Sequence, residues 1–353
     1  MKPSAIVLFF LLGFSACSYG QARTVQVLFI GNSFTNAHNM PGMVSNLVTA
    51  AGLKADISFH YAFGQSINYF IKDASCWQAI KSKTWDYIVF QDNQRFYYDS
   101  LGKFDSMGYA SPVLANNLKL QDSIKKLIPC VKIIYFAGWE LEGGLPDRFP
   151  GDNTEKMLKR ILANYSYLNH LPGVNNTIAP IGVGWISSIF HEPYLSAKPY
   201  DKFDLYDVDG RHPGWTGSYL GACVMFAVIF HQSPVGLKNK YILEGTTIDN
   251  FTKMMAWQAV QDSFAYTNLA AITPSLTLDS NIVSTSKEYK SYQWYSDNKP
   301  IAGATKYQYT MADKACNYWV ETIDQKGCFG TSFPVNPSSV KPKPLPNTKK
   351  PGE

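Results

Sequence analysis

A serine stands at the end of the first apolar run of the chain, in "VQVLFIGNSFTN" from residue 25 to residue 36. The run is rich in β-branched residues, which predicts a buried strand that ends at Gly31, with Asn32 and Ser33 directly after it. A serine hydroxyl becomes a nucleophile when a base takes its proton and hydrogen-bond donors hold the resulting oxyanion. Alternatively, Asn32 and Ser33 are ordinary caps of a following helix. A base elsewhere in the chain would favour the first interpretation.

The histidine that fits such a base is His212, in "YDVDGRHPGWTGSYLGACVMFAVIF". Pro213 follows it and an apolar run with helical spacing comes next, so His212 is predicted to lie where a loop enters a helix. Asp209 stands three residues earlier in a tight Asp-Gly-Arg-His turn. Its carboxylate can accept a hydrogen bond from the imidazole and fix the tautomer. A helix cap beside an incidental histidine is the alternative.

Together these two motifs resemble those of the SGNH/GDSL hydrolase superfamily. "FIGNSFTN" is similar to the family's first block, with Asn32 where aspartate is usual, and "DGRH" matches its last block. The resemblance covers about residues 24–240. It implies a three-layer, flavodoxin-like α/β fold and ester hydrolysis in which Ser33 is the nucleophile, His212 the base and Asp209 its partner. It requires no metal and no organic cofactor.

The resemblance also implies an oxyanion hole that begins with the N–H of Ser33. The family's second block is matched by Gly64 in "HYAFGQSI", and a glycine lets the backbone N–H approach an oxyanion closely. An ordinary strand-to-helix glycine is the other interpretation. The third block departs from the family, because "WDYIVF" is followed by Gln91-Asp92-Asn93-Gln94 instead of Gly-x-Asn-Asp. Asn93 or Gln91 is expected to supply the third donor, and the residue type favours Asn93.

Two tryptophans lie at later strand ends, Trp139 in "FAGWE" and Trp185 in "GVGW". We predict that both line the substrate pocket, where an indole face suits stacking on a sugar. Plain core packing is the alternative for each. Glu140 beside Trp139 has no partner that would make the carboxylate pair of a glycosidase.

Strand-like and helix-like segments alternate from Thr24 to about Thr273, which predicts an α/β domain over residues 23–272. Crossover units of this length imply a mainly parallel sheet covered by helices. The strand-like runs end in Gly, Asp, Asn or Trp, at the carboxyl edge where open α/β sheets bind their ligands. That edge is where Ser33 and its partners must meet.

After residue 273 the pattern changes to short alternating runs divided by turn residues, which predicts a small all-β sandwich over residues 273–337. "YQWYSDNKPIAGAT" and "GCFGTS" resemble the immunoglobulin-like modules of exported proteins from Bacteroidetes-type bacteria. The resemblance makes Trp294 a core residue and allows contact with a surface or a glycan. Residues 338–353, rich in Pro and Lys, are predicted to be a disordered tail.

The amino end, "MKPSAIVLFFLLGFSACSYGQ", predicts a signal peptide over residues 1–20, with Lys2 as the positive flank. Export to the periplasm or the exterior follows. A lipobox-like match that ends at Cys17 would anchor the protein to lipid instead, and Phe14 fits that motif poorly. No other run reaches 18 apolar residues, so no transmembrane segment is expected.

The six cysteines show no spacing typical of metal ligands. Cys130 and Cys223 sit in apolar surroundings and are predicted to be buried thiols. Cys316 and Cys328 lie close in sequence, and an exported protein could join them in a disulfide.

The chain has 353 residues, of which 46% are hydrophobic, enough for one large and one small domain. The formal charge of +5 is modest, and no basic stripe is interleaved with aromatic residues, so nucleic acid is not an expected partner. The prediction is an exported serine esterase that removes acetyl or other short acyl groups from a carbohydrate. The alternatives are a non-catalytic glycan-binding or adhesion protein on a decayed hydrolase fold, and an acyltransferase that uses the same residues.

Overall fold

The structure is a computed structural model, and it describes residues 23–92, 110–147, 149–169, 176–191, 205–242, 245–264 and 267–338. The predicted signal peptide over residues 1–20, Cys17, Asn93 and the tail beyond residue 338 lie outside these ranges. Within the described residues, no helix combines the length and the apolar character that crossing a bilayer would need.

A parallel sheet lies at the centre of the larger domain, and five of its strands fall in the described part of the chain. They are β1 (Thr24–Gly31), β2 (Lys54–Tyr61), β3 (Tyr87–Phe90), β4 (Lys132–Ala137) and β5 (Thr177–Pro180). The strand order β2-β1-β3-β4-β5 is that of flavodoxin-like folds. The order reverses between β1 and β3, so the crevice outside the carboxyl ends of these two strands is the expected place for a ligand.

Helices cover both faces of this sheet and complete a three-layer α/β/α domain, as the sequence predicts. One face packs against α2 (Met40–Ala50), α7 (Ile181–Ile189), α8 (Trp215–Phe230) and α9 (Thr247–Asp262). The other packs against α3 (Ile67–Phe70), α4 (Ala74–Lys81), α5 (Ala110–Leu127) and α6 (Thr154–Asn169). Side chains of β1 alternate between the two cores, with Val27 and Phe29 on one face and Leu28 and Ile30 on the other. A single turn, α1 (Ser33–Asn36), follows β1, and short 3₁₀ segments occupy Ala37–Asn39 and Leu269–Ile272.

The carboxyl-terminal part forms a small β module of antiparallel strands in the described residues. Its strands are β6 (Thr277–Asp279), β7 (Ile282–Ser284), β8 (Ser291–Ser296), β9 (Lys299–Pro300), β10 (Gln308–Thr310), β11 (Tyr318–Ile323) and β12 (Phe329–Thr331). They pair as β10-β7-β6 and β12-β11-β8-β9. Trp294 is fully buried between them with Val283 and Val320, which confirms that it is a core residue.

The β module packs directly on the amino edge of the parallel sheet. Phe329 of β12 belongs to the core of the α/β domain, and the Arg23 guanidinium lies 4.3 Å from the centre of its ring. The Lys132 ammonium group, at the start of β4, donates a hydrogen bond to the Phe329 carbonyl. On the helical side, the Asn298 amide donates to the Ala51 carbonyl at 2.9 Å. The eight residues of β1 therefore separate the module from the carboxyl edge by roughly 25 Å.

A disulfide between Cys130 and Cys328 joins the two domains covalently. This corrects two expectations, because Cys130 is not a free thiol and Cys328 does not pair with Cys316. The pairing follows from the docking, which places β12 against the loop before β4. Cys316 is free and partly exposed, and Cys223 is a buried free thiol as expected.

Candidate active site

Ser33, His212 and Asp209 meet at the carboxyl edge of the sheet. The Ser33 Oγ lies 3.0 Å from the His212 Nε2, and the His212 Nδ1 lies 2.6 Å from the Asp209 Oδ2. The sequence separates Ser33 from His212 by 179 residues, so only the fold brings the hydroxyl and the imidazole together. In this arrangement the His212 Nδ1 carries a hydrogen and donates it in a hydrogen bond to the Asp209 Oδ2. The Nε2 then has a free lone pair and can accept a hydrogen bond from the Ser33 hydroxyl.

A tight turn exposes Ser33 at the tip of β1. Gln91, which follows β3, accepts hydrogen bonds at its Oε1 from the Asn32 N–H at 2.8 Å and from the Thr35 hydroxyl at 3.2 Å. A Cβ at Gly31 would lie 2.7 Å from the Thr35 Oγ1 and 2.9 Å from the Gln91 Oε1, so the close approach requires glycine there. The Asn32 Oδ1 caps α1 by accepting from the Phe34 N–H at 3.1 Å. Asn32 therefore caps α1, and the Ser33 hydroxyl points to His212.

Gly64 lies beside this turn and lines the same cleft as Ser33. Its φ of +63° is in the left-handed region, which glycine adopts without the steric penalty of a side chain. The Asn32 Nδ2 donates to the neighbouring Gln65 carbonyl at 2.9 Å, so the two segments that flank the Ser33 hydroxyl are tied together.

Of the two residues predicted as the third oxyanion donor, the structure describes one, Gln91. Asn93 lies outside the described residues. Gln91 is buried, and its Nε2 donates to the Asp92 carbonyl while its Oε1 supports the serine turn. Gln91 therefore positions the turn and does not face the cleft, which corrects its candidacy as an oxyanion donor.

Asp209 and His212 sit on a short hairpin from residue 205 to residue 214. The Asp207 N–H donates to the His212 carbonyl at 2.8 Å, and Tyr206 forms a β-bridge with Pro213. At the tip, the Asp209 Oδ1 accepts the N–H groups of Arg211 and His212 at 2.9 and 2.8 Å. A second carboxylate oxygen remains for the imidazole, so the turn presents Asp209 to His212 in one geometry.

The charge of Asp209 is stabilised by these contacts. Partial burial alone would raise the pKa of its carboxyl group, but the hydrogen bonds from the His212 ring and from the N–H groups of His212 and Arg211 outweigh it and hold the pKa below the ordinary value. Asp209 is therefore ionised at neutral pH, and its negative charge lies beside the His212 Nδ1.

Trp139 and Trp185 do not line the cleft, and this corrects the sequence prediction. Both are buried, at 1% and 0% exposure, and their rings stack at 4.2 Å. Phe34, the residue after Ser33, packs against Trp139 and against the His212 ring, at 5.1 Å in each case. The Trp139 indole N–H donates to the Arg211 carbonyl at 3.0 Å. Trp139 follows β4 and Trp185 lies within α7, so the two rings pack below the hairpin, and Phe34 separates Trp139 from the His212 ring.

Glu140, the next residue, is fully buried below the same hairpin. Its Oε1 accepts a hydrogen bond of 3.1 Å from the Tyr206 hydroxyl, and its Oε2 has no partner among the described residues. Burial raises the pKa of Glu140 to about 8, against the smaller lowering effect of hydrogen bonds from its own N–H and from Tyr206. Burial therefore favours the protonated carboxyl group at pH 7.

The cleft in front of Ser33 is open, with a volume of about 650 Å³. Its walls include His38, Phe63 and Arg211, which the sequence analysis did not single out. Phe63 is 67% exposed, and the His38 ring stacks at 4.3 Å on Trp215, which is 53% exposed. An aromatic residue directly before the predicted oxyanion glycine was the available signal for Phe63. No sequence signal pointed to His38. Its position depends on a left-handed backbone conformation (φ 51°) and on contact between its Nε2 and the Pro213 carbonyl at 3.1 Å.

Metal binding has no candidate in the described ranges, where no three His, Cys, Asp or Glu side chains are grouped to hold an ion.

Comparison of structures supports the fold. A DUF4886 family protein from Bacteroides uniformis superposes with a TM-score of 0.54 at 20% identity, over 70% of this chain and 99% of the other. An acetyl xylan esterase, AlAXEase, matches with a TM-score of 0.44 at 13% identity, over 58% of this chain and all of the other. A protein from Parabacteroides merdae assigned as a GDSL-like lipase matches with a TM-score of 0.41 at 14% identity, over 59% of this chain and 96% of the other. At these identities the similarity concerns the α/β fold.

Comparison of sequences adds no family: no family model matches the chain, and no curated protein matches it significantly.

Proposed function

We propose that this protein is a serine esterase of the SGNH type. The observation that carries the proposal is the hydrogen-bonded chain from the Ser33 hydroxyl through His212 to Asp209, which faces an open cleft at the carboxyl ends of β1 and β3. A serine within 3.0 Å of an imidazole, itself oriented by a carboxylate, is the arrangement that activates a hydroxyl for attack on an acyl carbon.

The reaction proceeds in two halves. The His212 Nε2 takes the Ser33 proton as Oγ bonds to the ester carbonyl carbon, and the imidazolium then gives that proton to the departing alcohol oxygen. Water next donates a proton to Nε2 and attacks the acyl group on Ser33, and the returned proton restores the serine as the acid leaves. A positioned base typically contributes about 10²–10⁴ in rate.

The backbone N–H groups of Ser33 and Gly64 are the proposed donors to the oxyanion. Both residues line the cleft, and the positive φ of Gly64 shapes the loop that faces the Ser33 hydroxyl. Each donor of this kind is worth roughly 10²–10³ in rate. Asn93 remains the proposed third donor on the basis of the sequence.

The proposed substrate is an acylated carbohydrate that loses acetyl or another short acyl group. The support is the aromatic lining of the cleft, which includes the exposed Phe63 and the His38 ring, together with the exposed Trp215 that stacks on His38. Aromatic faces bind the apolar faces of sugar rings, so these residues take the stacking role predicted for Trp139 and Trp185.

Export is part of the proposal, and the Cys130–Cys328 disulfide favours it because such bonds persist mainly outside the cytoplasm. The β module lies at the opposite edge of the sheet from Ser33. If it contacts a glycan or a surface, it does so away from the cleft.

The test compares the exported form of the protein with Ser33→Ala on p-nitrophenyl acetate and then on a panel of acetylated oligosaccharides. We expect turnover by the wild type and a loss of at least about 10³-fold in Ser33→Ala, with an unchanged melting temperature. Turnover that survives Ser33→Ala would exclude this nucleophile. Glycan binding without turnover in the wild type would instead identify a binding protein, and acyl transfer to an added alcohol in preference to water would identify an acyltransferase.

A further inference from the structure

Three contacts hold the hairpin that carries Asp209 and His212 against the segment after β4. The Trp139 indole N–H donates to the Arg211 carbonyl at 3.0 Å, and the Glu142 N–H donates to the Gly210 carbonyl at 3.0 Å. Between them, the Tyr206 hydroxyl donates to the Glu140 Oε1 at 3.1 Å. The first two contacts use atoms that do not titrate, whereas the third depends on a carboxyl group.

We propose that Glu140 is a positioning residue of this site: its carboxyl group anchors the Tyr206 hydroxyl and so keeps His212 within reach of Ser33. Tyr206 is the link because it is buried, bonds to Glu140 and forms the β-bridge with Pro213, the residue after His212. The Tyr206 ring also packs against Trp185, which stacks on Trp139. The inference rests on the proposed function, since it assigns how the proposed base is held.

The surroundings of Glu140 explain why its charge state matters. Helix α7 contributes Trp185 and no charged residue, and α6 contributes Met157, whose sulfur lies near the Leu141 N–H, while Arg160 of α6 pairs with Asp152. The other titratable groups of these elements are Glu142 and Asp147 on its own segment, Asp207, Asp209, Arg211 and His212 on the hairpin, and Glu155, Lys156, Lys159, Tyr165 and Tyr167 on α6. Among the described residues, Tyr206 is the titratable group in hydrogen-bond contact with Glu140.

Ionisation of Glu140 would place a carboxylate in this site with one side-chain donor and one unpaired oxygen. A buried carboxylate with no cationic partner is relieved when water enters or the segment moves. Tyr206 would move with it, and the hairpin would carry His212 away from Ser33. Because burial raises the pKa of Glu140 to about 8, this change falls in the alkaline range.

The first experiment compares pH–rate profiles of the wild type, Glu140→Gln and the surface control Glu155→Gln on p-nitrophenyl acetate, with spontaneous hydrolysis subtracted. Glutamine keeps the shape and the acceptor oxygen and cannot ionise. We expect kcat of the wild type and of Glu155→Gln to fall about tenfold by about pH 9, while Glu140→Gln changes less than about threefold and KM varies less than twofold throughout. An equal alkaline loss in Glu140→Gln would overturn the proposal.

The second experiment removes the link and leaves the carboxyl group. Tyr206→Phe keeps the ring against Trp185 and deletes the hydroxyl, so we expect kcat near pH 7 to fall at least about fivefold with KM nearly constant. Wild-type kcat in Tyr206→Phe would overturn the proposal. The melting temperatures of Glu140→Gln and Tyr206→Phe show whether a lower kcat comes from a displaced His212 or from unfolded protein.

A readout without substrate separates this inference from the proposed function. We expect the His212 ring signals in ¹H–¹⁵N NMR spectra, assigned by their loss in His212→Gln, to shift between about pH 7 and 9.5 in the wild type and to stay constant in Glu140→Gln. A shift of this kind without any esterase turnover would overturn the proposed function and leave the role of Glu140 standing. Turnover with no shift would overturn the role of Glu140 alone.

Discussion

The indole N–H of Trp139 donates a hydrogen bond of 3.0 Å to the carbonyl of Arg211, the residue before His212. Trp139 follows β4, whereas Arg211 belongs to the hairpin before α8. The bond therefore joins the carboxyl edge of the sheet to the segment that carries the proposed base. Trp139, which the sequence suggested as a substrate contact, instead holds the segment that carries the proposed base.

Trp139→Phe tests this relationship, because phenylalanine keeps an aromatic ring and loses the N–H. An unpaired buried carbonyl costs about 1–3 kcal/mol, and movement of the hairpin relieves part of that cost. We expect kcat for p-nitrophenyl acetate to fall about tenfold with less than a twofold change in KM.

Trp185→Phe is the matched control for this variant. The Trp185 indole N–H has no hydrogen-bond partner among the described residues, so Trp185→Phe breaks no hydrogen bond and keeps an aromatic ring beside Tyr206. We expect a smaller loss of kcat, below about threefold. Equal losses in the two variants would show that ring volume matters and the Trp139 hydrogen bond does not.

Asn32→Asp tests why this chain departs from the aspartate that is usual in the first block. Aspartate keeps the cap on the Phe34 N–H, but it cannot donate to the Gln65 carbonyl and sets a negative charge against it. We expect about a tenfold loss of kcat, because the segment that carries Gly64 separates from the serine turn. Steady-state kinetics with the melting temperature provide the measurement.

Asn32→Ser separates the two roles of Asn32. Serine preserves a capping oxygen and loses the bond to Gln65, so a loss of kcat similar to that of Asn32→Asp would assign the effect to the missing donor. Full activity in both variants would show that the bond between Asn32 and Gln65 is dispensable.

The sequence predicts the parts of this molecule that depend on local pattern. Alternating strands and helices indicate the parallel sheet, and Ser33, Asp209 and His212 are found from short motifs whose positions in the fold, a strand end and a helix start, bring them to one edge. The distances among them agree with that expectation. The catalytic roles remain a proposal.

Features that depend on packing between distant segments could not be predicted in the same way. Burial of Trp139 and Trp185 follows from the hairpin that covers them, and Cys130 finds Cys328 because the β module docks on the amino edge of the sheet. Spacing along the chain carries no information about either contact. Phe63 directly precedes the predicted oxyanion glycine in the sequence, but its exposure in the wall of the cleft depends on the conformation of that loop.

Removal of the Cys130–Cys328 disulfide should lower the stability of the protein and leave its activity unchanged. It closes a loop of 198 residues, and loop-closure entropy gives an upper value of about 5 kcal/mol for its contribution to the free energy of unfolding. We expect Cys328→Ser to lower the melting temperature by several degrees, since about 1 kcal/mol corresponds to 2–4 °C or somewhat less in a chain of this size. At about 25 °C kcat should stay within twofold, because the bond lies at the opposite edge from Ser33.

Cys316→Ser is the control for this prediction, since Cys316 is a free thiol on the β module. Its melting temperature should match that of the wild type, and a reducing agent should lower the melting temperature of the wild type and of Cys316→Ser but not that of Cys328→Ser. A wild-type melting temperature that does not respond to complete reduction would contradict a stabilising role of the bond.

The buried His231, at the junction of the two domains, should make the folded protein less stable in acid. It is fully buried at the end of α8, its Nδ1 lies 2.7 Å from the Thr331 carbonyl, and its ring stacks on Phe333. Burial lowers its pKa to about 3, with the nearby Lys132 acting in the same direction and the Thr331 hydrogen bond opposing both. In the unfolded chain the pKa returns to about 6.5, so His231 contributes stability that is present above that pH and is lost as pH falls towards 3.

His231→Asn removes this titration with little backbone strain, because asparagine tolerates the left-handed conformation of this position (φ 56°) and can still donate to the Thr331 carbonyl. We expect the wild type to lose about 3 kcal/mol of unfolding free energy between pH 7 and pH 4 through this residue, measured by urea denaturation followed by tryptophan fluorescence. His231→Asn should be less stable at pH 7, since it lacks the ring that packs on Phe333, yet show a flatter pH dependence. His191→Asn, at a partly exposed histidine, should keep the slope of the wild type. If His231→Asn retained that slope as well, acid destabilisation would originate elsewhere than at the junction.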